Sequence, residues 1–185
     1  MLFRSLSLGE QTKAKEYVSK ALATSIEMGD KASEESLCGK MGTLLQSCGE
    51  YVKAQEFYHK ALVFKVATND TKGEASYYEK LGIMFYSHGV HDKAVGYFKK
   101  ALAILIEIGD HFGQVTIYGN LGNVFVSLGD FVKAEECLHK ALAIGIQVGD
   151  KKVQASSYRD LANICQFTGE LVKGSEYLEI GRAHV

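Results

Sequence analysis

The sequence contains no proline and no tryptophan. Average usage of about 5% would put roughly nine prolines in a chain of this size, so polyproline linkers and X-Pro turns are excluded. Charge of either sign is not in excess: 21 Lys and Arg face 22 Asp and Glu, a formal net charge of −1. A dedicated nucleic-acid binder shows a clustered basic surplus, and none is present. No apolar run approaches the roughly 20 residues that a membrane-spanning helix needs. The stretch Met1-Leu2-Phe3-Arg4-Ser5-Leu6-Ser7 is too short and polar for a signal peptide, which makes the cytoplasm the expected compartment.

Motifs for chemistry are equally scarce. Cys38, Cys48, Cys137 and Cys165 form no C-x-x-C, and zinc sites and redox pairs need closely spaced ligands. Reduced thiols buried as small apolar side chains are the expectation. His88 and His91, with Asp92 adjacent, are the only histidines at ligand-like spacing. A solvated turn accounts for them, and no metal or cofactor is expected. No Ser-His-Asp, Cys-His or paired-carboxylate arrangement recurs, and no phosphate-cradling G-x-x-x-x-G-K-[ST] occurs. An enzyme is not expected.

What the sequence does have is a repeat of forty residues. Lysine recurs at Lys13, Lys53, Lys93, Lys133 and Lys173, and glycine at Gly9, Gly49, Gly89, Gly129 and Gly169. Ala-Leu recurs at Ala21-Leu22, Ala61-Leu62, Ala101-Leu102 and Ala141-Leu142, and aspartate at Asp30, Asp70, Asp110 and Asp150. Registration this strict means stacked copies of one supersecondary unit. Each unit reads as two helices, A and B, as at about His111 to Leu128 and Phe131 to Val148, where apolar residues fall on one stripe. Gly129 suits a left-handed helix end and Asp130 the cap of the next helix; Gly149 and Asp150 repeat the signal. Gly42, Gly82 and Gly122 recur at mid-helix, where glycine costs about 1 kcal/mol against alanine. Their column predicts a close approach of two helices.

Leu121-Gly122 followed by Phe125, Gly129, Phe131, Ala134, Leu138, Ala141 and Leu142 resembles the tetratricopeptide repeat signature. Leu81-Gly82, Phe85, Gly89, Ala94, Phe98, Ala101 and Leu102 repeat it one unit earlier. The resemblance implies an all-α, right-handed superhelical solenoid of antiparallel helix pairs, in about four and a half copies. The expected divisions are a partial repeat over 1–29, full repeats over 30–69, 70–109 and 110–149, and an incomplete one over 150–179. The family's usual tryptophan position holds Cys38, Tyr78, Tyr118 and Tyr158, and its closing proline is missing. The longer unit is similar to the repeats of Pins-type G-protein-signalling modulators, and closer to tetratricopeptide repeat protein 28-like arrays.

Both ends bear on the expected extent of the array. Met1 falls in register with Met41, so the chain is expected to be a fragment of a longer array that opens partway through a helix A. Ile180-Gly181-Arg182-Ala183-His184-Val185 fits no earlier copy. It matches the translation of a common sequencing-library adapter, ATC GGA AGA GCA CAC GTC, so 180–185 is expected to be a non-native tail. Solenoid ends need polar caps, and without them end-to-end self-association or fraying is expected.

The lysine columns lie two helical turns apart along one face, interleaved with Glu16, Glu56, Glu136 and Glu176, and read as a solvated outer surface. Tyr78, Tyr118 and Tyr158 share the apolar stripe of Leu81, Leu121 and Leu161, which predicts burial between helices. By the family pattern, the inner face of helix A draws on rows beginning at Ser36, Gly39, Lys40, Thr43 and Gln46. The first row is uniform; the others vary, as in Gly39/Glu79/Gly119/Arg159 and Thr43/Ile83/Asn123/Asn163. Variation favours a protein-binding groove over a bland spacer segment of a longer protein. The expected peptide-binding residues are Glu79, Tyr86, Asn120, Asn123, Arg159 and Asn163, facing a linear segment with at least one Asp or Glu. The family's carboxylate clamp is not expected: Asn123 fits it, but Gly119 replaces its lysine and Asp160 would repel an acidic tail.

Overall fold

The computed structural model describes the backbone of residues 2–183 and the side chains of 9–183. The helices among the described residues are α1 (Leu2–Glu27), α2 (Lys31–Ser47), α3 (Tyr51–Ala67), α4 (Thr71–Ser87), α5 (His91–Glu107), α6 (His111–Ser127), α7 (Phe131–Gln147), α8 (Lys151–Thr168) and α9 (Leu171–Ala183). The fold is all-α, built from antiparallel helix pairs joined by short turns. From α2 to α7 every helix is 17 residues long.

The punctuation seen in the sequence sets these lengths. Gly29, Gly49, Gly89, Gly109, Gly129, Gly149 and Gly169 all have φ between 68° and 82°. That left-handed state ends a helix and lets a later amide return to an orphan carbonyl. At α1 the Asp30 N–H donates to Ser25 O at 2.9 Å and the Gly29 N–H to Ile26 O at 3.1 Å. The same six-residue closure joins Asp110 to Leu105 and Asp150 to Gly145, both at 2.9 Å. Asn69 occupies one glycine position with φ 53°, a conformation asparagine tolerates better than most residues. The aspartate column then caps the following helix. Asp70, Asp110 and Asp130 accept from the amides of Gly73, Gly113 and Lys133 at 2.8, 2.9 and 3.2 Å.

One expected turn is absent. Gly9 lies inside α1, which runs unbroken from Leu2 to Glu27, and its φ is not left-handed. Continuing α1 through Gly9 satisfies the backbone groups there within the helix. At the other end α9 extends through Ile180–Ala183, part of the expected tail. His184 and Val185 lie outside the described residues, as does Met1.

The chain divides into two compact units, Met1–His88 and Gly89–Val185, with the division inside the expected 70–109 repeat. In the first unit Cys38, Met41, Leu45, Ala54, Tyr58, Ala61, Leu81 and Met84 form the buried core. Gly42 is part of it: a Cβ there would sit 2.6 Å from two ring carbons of Tyr58. In the second unit α7 and α8 contribute Ala134, Leu138, Leu142, Leu161 and Ile164 to one cluster, flanked by Phe125, Phe131, Tyr158 and Tyr177. Gly122, in the same column as Gly42, is looser, since a Cβ would meet Leu138 at an ordinary 3.5 Å. The close approach expected for the column is therefore tight at Gly42, against Tyr58, and ordinary at Gly122.

Candidate functional site

In the first unit the inner rows of α2 and α4 enclose two adjoining clefts. The larger, of about 440 Å³, is lined by Thr43, Gln46, Ser47, Tyr58, Lys80, Ile83 and Ser87. The smaller, of about 230 Å³, is lined by Glu35, Ser36, Gly39, Lys40, Thr43, Tyr77 and Lys80. Thr43 and Lys80 belong to both, so the two form one groove.

Its floor is fixed by two buried tyrosines. Tyr58, 1% exposed, donates its hydroxyl toward Gln46 Oε1 at 2.9 Å and Thr43 Oγ1 at 3.2 Å. Tyr77 donates to Glu35 Oε1, while Lys65 bridges Glu35 Oε2 at 2.9 Å and Asp70 Oδ2 at 3.0 Å. Burial, then the Glu35 carboxylate, push the Tyr77 phenol well above its usual range, keeping it a donor. Gly39 makes room for it, because a Cβ there would lie within van der Waals contact of the Tyr77 hydroxyl oxygen. Neither tyrosine was expected in the site. The usable signal is a pairing of bulk with gap: Tyr77 is the largest residue of its column, and Gly39 opens a gap on the facing helix. Glu79 and Tyr86, which were expected, are half-buried on α4 and line neither cleft.

In the second unit Asn123 on α6 and Asn163 on α8 are exposed, and Asn120 is half-buried. Arg159 is exposed, with Nε 3.3 Å from Asp160 Oδ1. It lines a mainly apolar cleft of about 370 Å³ between α8 and α9, with Lys152, Ala155, Ser156, Leu178, Gly181 and Arg182. Asn120, Asn123 and Asn163 are not among that cleft's lining residues.

Several other expectations meet the structure directly. Tyr78, Tyr118 and Tyr158 are half-buried rather than enclosed. Lys140 lies over the Tyr118 ring at 5.8 Å and Tyr177 lies 6.0 Å from Tyr158, so these rings sit at the edge of their helix pairs. Cys38, Cys137 and Cys165 are buried and Cys48 half-buried, all free thiols. Burial pushes the Cys38, Cys137 and Cys165 thiols up, away from reactive thiolate. The outer lysines Lys13, Lys53, Lys93 and Lys133 are exposed. Lys20 pairs with Glu16 as expected, but Lys53 and Lys133 pair with the cap residues Glu50 and Asp130. His88 stacks on Tyr51 with centroids 4.3 Å apart.

Glu135, Cys165 and Glu170 bring three potential metal donors within 4.8 Å of one another. Lys173 already holds both carboxylates, at 3.1 and 3.2 Å, and they raise its pKa. An internal ammonium thus supplies the positive charge there. Buried Gln114 and Gln154 were missed in the sequence. Each donates its side-chain amide to a carbonyl near the end of the preceding helix, Leu105 O at 3.0 Å and Gly145 O at 2.9 Å. They lock a B helix to the next A helix. Among the described residues no helix is long and apolar enough to cross a membrane.

Solved structures share this arrangement. BtubC (BKLC) from P. vanneervenii superposes with a TM-score of 0.78 at 21% identity, covering 97% of this chain and 74% of that one. The nearly identical TPR-like repeats of a Podosopora anserina protein give 0.77 at 18% identity, covering 98% and 90%. A Signal Transduction ATPase with Numerous Domains from Pyrococcus horikoshii, with a tetratricopeptide repeat sensor, gives 0.73 at 19%, covering 94% and 27%. At these identities the likeness establishes the fold. No curated protein matches the chain in sequence. The tetratricopeptide repeat model matches residues 33–107 and 113–179, and such stacked repeats present extended binding surfaces. The match spans most of the sequence and agrees with the repeated helix pairs, so the chain belongs to the tetratricopeptide repeat family, whose fold generally scaffolds protein–protein contacts.

Proposed function

We propose that the chain holds a linear peptide or a helix of a partner protein against the inner faces of its A helices. The observation that carries this reading is the exposure of non-uniform polar side chains on those helices, Asn123 on α6 and Arg159 and Asn163 on α8. An asparagine amide both donates to and accepts from a peptide group, and Arg159 offers a planar fork to an Asp or Glu. Asn120 on α6, and Glu79 and Tyr86 on α4, complete the proposed set, with Tyr86 supplying an apolar ring.

The forty-residue period supports a place among extended-repeat arrays of the Pins-type and tetratricopeptide repeat protein 28-like kind. We place the working array at 1–179, in the cytoplasm, with self-association of the chain through its helical surfaces as a further proposal. Genomic sequence continuing past codon 180 in the Lys-Ala-Leu register supports that extent; a stop after Val185 contradicts it.

A proteome-derived peptide display screen against the chain tests the scaffold reading. Recovered ligands should share an extended segment with at least one acidic residue. Asn123→Ala and Arg159→Ala should each weaken them by about 1–3 kcal/mol, the cost of an unpaired polar partner. Lys53→Ala, on the outer face, should change little. Failure to select any peptide turns the case toward a spacer that only sets length.

A further inference from the structure

In the second unit, the turns from an A helix to its B helix depart from the pattern of the earlier copies. The row of Phe167 holds Ser47, Ser87 and Ser127, and the row of Leu128 holds Cys48 and His88. The row of Phe131 and Leu171 holds Tyr51 and His91, and that of Val132 and Val172 holds Val52 and Asp92. Each row thus accepts a smaller or more polar residue, so helix pairing does not demand large apolar side chains there. In the second unit they nevertheless gather and face solvent. Leu128, Val132, Phe167, Leu171 and Val172 are 47% to 75% exposed. Phe131, at the start of α7, stacks on Phe167 near the end of α8, with centroids 6.0 Å and planes 8° apart. This stack joins the α6–α7 turn to the α8–α9 turn and makes one patch of the two. The patch exposes about 600 Å² of surface, the upper end of what a typical monomer leaves in one place.

Charge on these turns is already matched. Lys133 pairs with Asp130, and Lys173 with Glu135 and Glu170. An anionic bilayer is held by free cations beside the apolar contact, and a strongly charged partner needs uncompensated charge of the opposite sign. A second copy of the same patch needs neither. It meets no like-charge repulsion and matches the first group for group, as a two-fold contact requires.

We propose that two copies of the chain associate through this edge about a two-fold axis, with the Phe131–Phe167 stack and Leu171 at its centre. Two such patches bury about 1,200 Å², the lower bound of a specific interface, which makes the dimer reversible. The inference rests on the self-association proposed above and names its surface. It is independent of the peptide reading, because the contact lies on the turns and not on the inner faces of the A helices.

The experiment is sedimentation velocity of the chain over about 1–200 μM, the range of a reversible dimer. The mass should rise with concentration from the 20.3 kDa monomer toward twice that value and stop there. Phe167→Ser, Leu171→His and Val172→Asp each restore a residue that an earlier copy carries in the same row, so the helix pair tolerates them. Each should weaken the dimer about tenfold or more, with unchanged helical circular dichroism. Ile106→Ser and Ile146→Ser, at exposed positions near the opposite ends of α5 and α7, should leave the dimer as in the parent. A monomer at every concentration overturns both this surface and the self-association reading. Dimers that survive the three substitutions, or that are lost at Ile106 or Ile146 instead, overturn this surface alone. Growth past the dimer assigns the contact to the ends of the array and also overturns it. Pelleting of the chain with phosphatidylserine-containing vesicles, lost in Phe167→Ser, overturns the second copy in favour of a membrane.

Discussion

Gly42 and Gly122 occupy the same column of the repeat, yet the structure predicts opposite responses to alanine. In a helix interior, glycine is about 0.8–1 kcal/mol less favourable than alanine. Gly122→Ala should recover most of that, since its Cβ meets Leu138 at 3.5 Å with no closer neighbour. Gly42→Ala gains the same propensity but places a methyl 2.6 Å from Cδ1 and Cε1 of Tyr58 and 3.1 Å from Cγ. The ring cannot retreat cheaply, being 1% exposed and tied through its hydroxyl to Thr43 and Gln46. Overpacking of this kind costs about 1–3 kcal/mol, and displacing the hydroxyl forfeits about 0.5–1.5 kcal/mol more. The two variants should therefore lie about 2–4 kcal/mol apart, with Gly122→Ala above the parent and Gly42→Ala below it. Urea unfolding followed by far-ultraviolet circular dichroism measures the difference. Adding Tyr58→Leu, which copies the Gly122–Leu138 pairing, should make Gly42→Ala much less harmful, a coupling of about 1–3 kcal/mol. Equal effects at the two glycines, or no coupling to Tyr58, would refute the packing argument.

Further predictions concern backbone and charge. Asn69→Gly should raise stability by up to about 1 kcal/mol, because φ 53° suits glycine better than asparagine; a lower thermal midpoint counts against the turn geometry. Hydrogen bonds from Lys15, then Lys53, hold the Glu50 carboxyl down to about 2, below the usual carboxylate range. A carboxylate depressed on folding contributes stability that is present above its unfolded value and is lost as pH falls toward the folded one. The parent should thus lose stability relative to Glu50→Gln between about pH 4.5 and 2, and parallel acid titrations of the two proteins contradict this.

The helix pairs were legible because their signals are local and repeated. Glycine at a left-handed helix end and aspartate one residue later dictate backbone conformation wherever they occur, as at Gly129–Asp130. Gly9 lacks the following aspartate, being succeeded by Glu10, and α1 continues through it. The groove was less legible because it depends on contacts between rows rather than within them. Lys65, Glu35 and Tyr77 sit on three successive helices, and no local pattern announces that they meet. Lys40 and Lys80 appeared in the sequence as ordinary members of a variable row. On the outer face, by contrast, Lys20, Lys53 and Lys133 each pair with a nearby carboxylate. Buried Gln114 and Gln154 escaped notice because polarity usually marks a solvated position, whereas here each amide satisfies a helix-end carbonyl.

A crystal structure of the chain bound to its tightest display-selected peptide tests the central claim most directly. The account predicts peptide contacts confined to α2, α4, α6 or α8, with a peptide carboxylate against Arg159. A peptide seated instead on the outer faces of α3, α5 or α7, against residues such as Lys53 or Lys133, would contradict it.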